Sequence, residues 1–141
     1  MLDLVFWAAH AVGLVGWGAL VLAPRLGTAR AVGFARAAGA AVAFLYLGLF
    51  LAFPGGMAQL AVNYSPEGIA SVFSDPALAT VGWVHYVAFD LWVGSWEVED
   101  AERTGVVRPI LLLCLFLTAM VGPIGLLAYL LARRLHRKSA A

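Results

Sequence analysis

The architecture of this chain is most clearly indicated by the segment WVHYVAFDLWVGSW, residues 83–96. The segment is apolar over most of its length, yet it contains His85 and, near its middle, Asp90. A carboxylate at the centre of a bilayer costs a few kcal/mol even on insertion scales, so it usually faces a partner, a cavity or a substrate. We therefore predict a membrane span here, and we expect the chemistry of the chain in the same segment.

The composition extends this interpretation to the whole chain. Its 141 residues are 63% hydrophobic and 12% charged. A membrane-spanning helix needs roughly 20 apolar residues, and four apolar runs are long enough, at 4–23, 31–53, 78–96 and 109–132. Their continuous apolar character favours helices over barrel strands, which alternate. We predict an all-α integral membrane protein, a bundle of four transmembrane helices in a single membrane domain over residues 1–141.

Several classes of function are excluded by what the sequence lacks. The formal net charge is only +1 and no basic stripe is present, so we expect no nucleic-acid partner. The single cysteine, Cys114, forms no Cys-x-x-Cys motif, and His10, His85 and His136 form no His-x-x-x-His pair. We therefore expect no metal site, and we expect no cofactor.

One connection between the apolar runs and one position inside the fourth run carry signals of local structure. Ser65-Pro66-Glu67 combines an N-cap, a proline at the first helical position and an early carboxylate, which predicts a short interfacial helix over 66–73. Glu67 is either a solvated helix-start charge or a polar group that closes the mouth of a cavity. Pro123, between two glycines, predicts a kink in the fourth helix. That kink serves packing, or it opens a pocket for a ligand.

The orientation in the membrane is nearly undetermined by charge. The first run has no Lys or Arg before it and exceeds the core of a signal peptide in length, so we expect an uncleaved first helix. Four spans put both termini on one side with the 54–77 loop. That side carries four basic residues against five on the other: Arg133, Arg134, Arg137 and Lys138 against Arg25, Arg30, Arg36, Arg103 and Arg108. The positive-inside rule then gives a weak preference for both termini outside.

The third predicted helix places its polar residues on distinct faces. Residues four and seven apart share a helical face, so one stripe contains Tyr86, Asp90, Gly94 and Glu97. Gly94 leaves a notch for a ligand or for a neighbouring helix. His85 lies on another face, with Phe89, Trp92 and Trp96 in an aromatic strip.

Two interpretations of this helix remain open. In the first, Asp90 is a buried anchor that bonds to Tyr86, His10 or Thr118, and Trp83 and Trp96 belong to an interfacial belt. In the second, the helix forms a site in which His85, Asp90 and Glu97 supply acid and base groups. The candidate substrate-binding residues are then Trp83, Tyr86, Phe89, Trp92, Gly94, Glu67 and Pro123.

Several motifs of the sequence match one known family. They are GWVH at 82–85, FDLWVG at 89–94, Trp96 with Asp100-Ala101, and GPIGLL at 122–127, together with SPEG at 65–68 and Phe73. On these motifs the chain resembles the ABA4-like family over nearly its whole length. Ser95 is a departure, because arginine is expected there in many relatives. The change removes a charge that could pair with Asp90.

The resemblance implies a relation to plant plastid membrane proteins that are required for making neoxanthin from violaxanthin. It implies a carotenoid or related isoprenoid ligand, for which the aromatic strip is suited. If the chain is an enzyme, the resemblance implies a cofactor-free isomerase that protonates an epoxide oxygen and removes a proton from a nearby carbon. The chain is short and has no plastid transit segment, so we expect it in a bacterial cell (inner) membrane.

Whether the chain is catalytic stays open at this point. A membrane scaffold, or a binding partner for carotenoids or other lipids, would use the same residues without turnover. A small transporter subunit is a further alternative, which the absence of an internal repeat disfavours. The expected partners are membrane lipids, with a second copy of the chain or a biosynthetic enzyme as open alternatives.

Overall fold

The computed structural model describes residues 1–139, apart from the side chains of Met57, Leu60 and residues 137–139. Residues 140 and 141, the end of the predicted domain, lie outside the described residues. Within that range every regular element is a helix, so the all-α prediction is confirmed. The helices are α1 (Leu2–Val21), α2 (Ala23–Leu26), α3 (Thr28–Ala52), α4 (Gly55–Val62), α5 (Pro66–Phe73), α6 (Pro76–Thr104), α7 (Arg108–Val121) and α8 (Pro123–Ser139).

Two of these helices, α1 and α3, are long and apolar enough to cross a membrane. The four spans that the sequence predicted are therefore only partly reproduced. Helix α6 has 29 residues, but polar side chains such as His85 and Asp90 lower its mean hydropathy. The predicted fourth span is divided between two helices, and its apolar part α7 has only 14 residues.

The three long helices α1, α3 and α6 form the centre of the bundle. Helix α3 runs antiparallel to α6, since Tyr46 contacts His85 near one end and Arg36 contacts Glu99 near the other. Helix α1 runs parallel to α6 and approaches it closely through glycines. A Cβ atom at Gly16 would meet Leu91 of α6. Small residues let two helix backbones approach closely, and the close approach stabilises the helix pair through van der Waals contact.

The short helices α4 and α5 connect α3 to α6 and begin as the sequence predicts. The Ser65 hydroxyl accepts a hydrogen bond from the Gly68 amide at 3.1 Å, which caps α5. The Asp75 carboxylate accepts bonds from the first amides of α6 in the same way. The observed α5, Pro66–Phe73, coincides with the predicted helix, and its interfacial position stays a prediction.

The expectation of one kinked helix over 109–132 is wrong. Helix α7 ends at Val121, and Gly122 follows with φ of +47°, a conformation that favours glycine. A Cβ atom at Gly125 would overlap the backbone and hydroxyl of Thr118. These two residues would lie about 10 Å apart along a continuous helix. The chain therefore reverses at Gly122-Pro123, and α8 packs back against α7 as a helical hairpin.

Contacts from the middle of α8 confirm the reversal. The Tyr129 hydroxyl donates to Asp100 Oδ2 at 2.9 Å, and Arg133 Nε lies 2.7 Å from the same oxygen. The N–H of Arg133 does not point at that oxygen, so the contact is an ion pair without a hydrogen bond. The middle of α8 thus lies beside the carboxyl end of α6, and the tip of the hairpin lies beside Asp90. Helix α6 itself continues to Thr104, beyond the predicted end at 96.

Candidate functional site

A cavity of about 620 Å³ lies where the hairpin tip meets α1 and α6. Its walls are mostly apolar and aromatic, from α1, α6 and α7, and its polar groups are few. Its lining includes His10, Trp17, Trp83, Tyr86, Asp90 and Ala119, with Gly122 and Pro123 at the tip. A concave apolar site with a few convergent polar groups is the usual form of a small-molecule site.

Asp90 supplies the carboxylate of this cavity. It lies at the midpoint of α6 and is half-buried. Its side chain faces the hairpin, where a Cβ atom on Gly122 would stand 3.1 Å from Oδ1. In the described part of the chain, no hydrogen bond or ion pair engages this carboxylate. The expected bonds to Tyr86, His10 or Thr118 are not formed, so the anchor interpretation of Asp90 has no support.

His10 and Trp83 form the second polar feature of the wall. Trp83 Nε1 donates to His10 Nε2 at 2.9 Å, and the two rings are stacked. The other ring nitrogen, Nδ1, lies 2.9 Å from the Phe6 carbonyl oxygen and therefore carries the proton. His10 is thus held as a neutral imidazole with both nitrogens engaged. The sequence did not identify this pair, because its members lie 73 positions apart.

The rest of the predicted polar stripe is closed off from the cavity. The ring of Trp17 packs over Gly94, so the expected notch is filled by protein. Glu97 is fully buried and accepts a hydrogen bond from the Thr118 hydroxyl at 2.8 Å through Oε1. Its other oxygen, Oε2, has no partner among the described residues. Glu97 is therefore a buried polar group two turns after Asp90 on α6, and it does not line the cavity.

The other predicted residues of α6 lie on its opposite side. His85 stacks on Phe89 with ring centroids 4.5 Å apart and contacts Tyr46 of α3. Trp92 lies under the Arg36 guanidinium at 5.3 Å. His85 and Asp90 are thus not brought into one site, as their angular separation on the helix predicts. Within the aromatic strip, His85 and Trp92 face α3, whereas Trp96 packs edge-on against Tyr129 of α8 with ring centroids 5.4 Å apart. Of the predicted α6 aromatics, only Trp83 and Tyr86 line the cavity.

Glu67 and Pro123, the predicted residues outside α6, have different outcomes. Pro123 lies at the hairpin tip and lines the cavity. Glu67 is exposed in the first turn of α5 and lies outside the cavity wall. A hydrogen bond from its own backbone amide, followed by one from Ser65, lowers the pKa of Glu67. This is the behaviour of a solvated helix-start charge.

Ion pairs connect the helices at the opposite end from α5. Arg36 donates to Glu99 Oε2 at 2.7 Å and to the buried Ser95 hydroxyl at 3.3 Å. The hydrogen bond from Arg36 lowers the pKa of Glu99, which lies beyond the predicted span. Here the position of Ser95, where relatives were expected to have arginine, is reached by an arginine of α3 instead.

The chemistry available in the cavity follows from this geometry. One unpaired carboxylate, one neutral imidazole and several aromatic faces surround a space that is partly open. A carboxylic acid in such surroundings can give a proton to an oxygen atom of an apolar ligand and can accept one from carbon. Among the described residues no cluster of three His, Cys, Asp or Glu side chains is placed to hold a metal ion.

Comparisons with known proteins give one result. The family model described as ABA4-like, ABA DEFICIENT 4-like, matches residues 4–129 of the chain. The match includes α6, the hairpin tip and Tyr129 of α8. Comparison with curated proteins and with solved structures found no match.

Proposed function

The chain belongs to the ABA4-like family, and from this premise we propose that it is an integral membrane protein that binds a carotenoid or related isoprenoid lipid in the cavity at Asp90. We further propose that Asp90 is the acid–base group that isomerises an epoxide end group of that lipid. The observation that carries the proposal is the unpaired Asp90 carboxylate in an aromatic cavity at the midpoint of the longest helix.

The surface of the bundle supports a membrane location. Many large apolar side chains are exposed on its sides, among them Leu14 at 69%, Phe44 at 75% and Phe116 at 61%. Exposed apolar area on this scale is unfavourable in water and is normal where lipid covers the protein. Helices α1 and α3 have the length and composition of spans. The proposal places the chain in the cell membrane of a bacterium.

The proposed reaction needs only one carboxyl group. The protonated Asp90 gives its proton to the epoxide oxygen as the adjacent carbon–oxygen bond breaks. The Asp90 carboxylate then removes a proton from a neighbouring carbon, and the electron pair of that carbon–hydrogen bond forms the new double bond. The product is an isomer of the substrate, and Asp90 ends in its starting form. The reaction consumes no oxidant, reductant or cofactor.

A binding protein without turnover is the second candidate, and one observation favours it. Of the three predicted acid–base residues, only Asp90 lines the cavity, since His85 lies against α3 and Glu97 is buried below. In this candidate the cavity holds the same class of lipid and presents it to a biosynthetic enzyme. The two candidates share the ligand and differ in whether the isolated protein forms product.

Filling the cavity tests the part that both candidates share. Ala119 lines the cavity on α7, and Ala119→Phe places a ring inside it. Ala43 is exposed on α3, outside the cavity wall, so Ala43→Phe is the matched control. We expect the wild-type protein and Ala43→Phe to purify in mild detergent with the same bound lipid, identified by absorption and mass spectrometry. Ala119→Phe should lose it. Equal lipid content in all three proteins would overturn the proposed binding site.

A further inference from the structure

The hairpin of α7 and α8 changes the expected path of the chain through a membrane. Helix α7 has 14 residues and rises about 21 Å, less than the roughly 30 Å of a hydrocarbon core. It begins beside the carboxyl end of α6 and stops beside Asp90, halfway along that helix. Helix α8 then returns to the starting end, where Arg133 pairs with Asp100. The hairpin thus begins and ends at the same end of the bundle.

The reversal also gathers the positive charge at one end. With a straight fourth span the basic residues divide four against five, whereas the hairpin brings both groups together. All nine then lie at the end where α6 finishes: Arg25, Arg30, Arg36, Arg103, Arg108, Arg133 and Arg134, with Arg137 and Lys138 in the last turns of α8. The opposite end has no Lys or Arg and carries Asp3, Glu67 and Asp75.

We propose that residues 108–139 form a re-entrant hairpin that enters and leaves the bilayer through its cytoplasmic face, and that the cavity at Asp90 receives its ligand sideways from the outer leaflet. This inference rests on the membrane location proposed above. Basic residues are retained on the cytoplasmic side of membrane proteins, and a nine-to-none division leaves one orientation. The N-terminus and the helices α4 and α5 then lie outside, and the C-terminus lies inside.

The re-entrant geometry accounts for the cavity. Because the hairpin stops near Asp90, no part of α7 or α8 covers the α1–α6 groove between the hairpin tip and the outer end. Trp83 and Tyr86, on this stretch, are 47% and 55% exposed. Irregular backbone at membrane depth is tolerated where it is buried in protein or lines a cavity. Gly122 satisfies both conditions, since it is buried and belongs to the cavity wall.

Labelling of single cysteines from each side of the membrane tests the inference. In a Cys114→Ala background, cysteine replaces Tyr64 between α4 and α5, Val107 before α7, or Arg134 in α8. All three positions are exposed. A membrane-impermeant maleimide is applied to spheroplasts, which are intact cells whose outer membrane and wall have been removed, and to inverted membrane vesicles. We expect Val107→Cys and Arg134→Cys to react only in inverted vesicles, and Tyr64→Cys to react only in spheroplasts.

Each other pattern overturns a stated part of the inference. Labelling of Arg134→Cys from the side of Tyr64→Cys means a straight fourth span and removes the hairpin. Labelling of all three residues from reversed sides keeps the hairpin but removes the orientation and the outer-leaflet access. Recovery of the protein in the soluble fraction would overturn the membrane location and the proposed function with it. A reporter fused after Ala141 repeats the test for the C-terminus without changing any residue, in case a cysteine variant does not accumulate.

Discussion

At the scale of single residues, the structure separates two carboxylates that the sequence places on one face. Asp90 lines a cavity and has no partner in the described part of the chain, whereas Glu97 is fully buried with one oxygen bonded to Thr118. Helical periodicity predicted the shared face correctly. It could not predict that Trp17 of another helix would pack over Gly94 between them, nor that His10 would pair with Trp83, because both contacts depend on the tertiary arrangement.

The bond between Thr118 and Glu97 gives a prediction at this scale. Thr118→Val keeps the shape of the side chain but leaves both carboxyl oxygens of Glu97 without a partner. We expect the free energy of unfolding to fall by about 1–3 kcal/mol, the cost of an unsatisfied buried polar group. Glu97→Gln, which keeps an acceptor for Thr118, should cost less.

Thermal melts in detergent check this prediction through a double-mutant cycle. Adding Glu97→Leu to Thr118→Val removes the stranded carboxyl, so the double variant should be no less stable than Thr118→Val alone. Additive losses from the two changes would show that the buried bond contributes nothing, contrary to the expectation.

At the scale of elements, the α7–α8 hairpin is the feature that the sequence described least well. The motif Gly122-Pro123-Ile124-Gly125 predicted a disturbance at the correct place, because proline removes one helical hydrogen bond. A kink and a reversal begin with the same local loss, however. The choice between them is made by distant contacts, namely Gly125 against Thr118 and Tyr129 against Asp100.

The close contact at the base of the hairpin tip gives the second prediction. In Gly125→Ala the new methyl group would overlap the backbone of Thr118, so α7 and α8 must separate. Overpacking of a tight contact typically costs about 1–3 kcal/mol, and we expect a loss of that size. Gly48→Ala on α3 is the control, because no atom lies within 4 Å of its added methyl group.

The same melting measurement decides this case. The control should melt at or slightly above the temperature of the wild type, since alanine is the better helix former. If Gly125→Ala is as stable as Gly48→Ala, the two helices do not approach as closely as the hairpin requires.

At the scale of the whole molecule, composition was enough for the all-helical class, and motifs for the family. The sequence was not enough to predict the orientation in a membrane. The positive-inside count depends on the end of the bundle at which each helix finishes. Without the reversal at Gly122, the four basic residues after 132 would lie at the opposite end of the bundle, and the nine-to-none division would become a near tie. Three of the four apolar runs each overlap a single long helix, α1, α3 or α6, and the fourth is divided between α7 and α8.

Whether Asp90 performs the proposed acid–base chemistry on a lipid in the cavity can be measured on the purified protein. The purified protein is reconstituted with violaxanthin, a 5,6-epoxy carotenoid. The products are separated by chromatography, and their molecular masses are measured by mass spectrometry. Asp90→Asn keeps the volume of the side chain and loses its transferable proton. Glu102→Gln, an exposed carboxyl at the other end of α6, is the control. We expect the wild type and Glu102→Gln to form an isomer of unchanged mass, while Asp90→Asn melts normally, binds the pigment and loses about 100-fold or more in rate. Conversion by Asp90→Asn at the wild-type rate, or pigment binding without any conversion by the wild type, would contradict the claim.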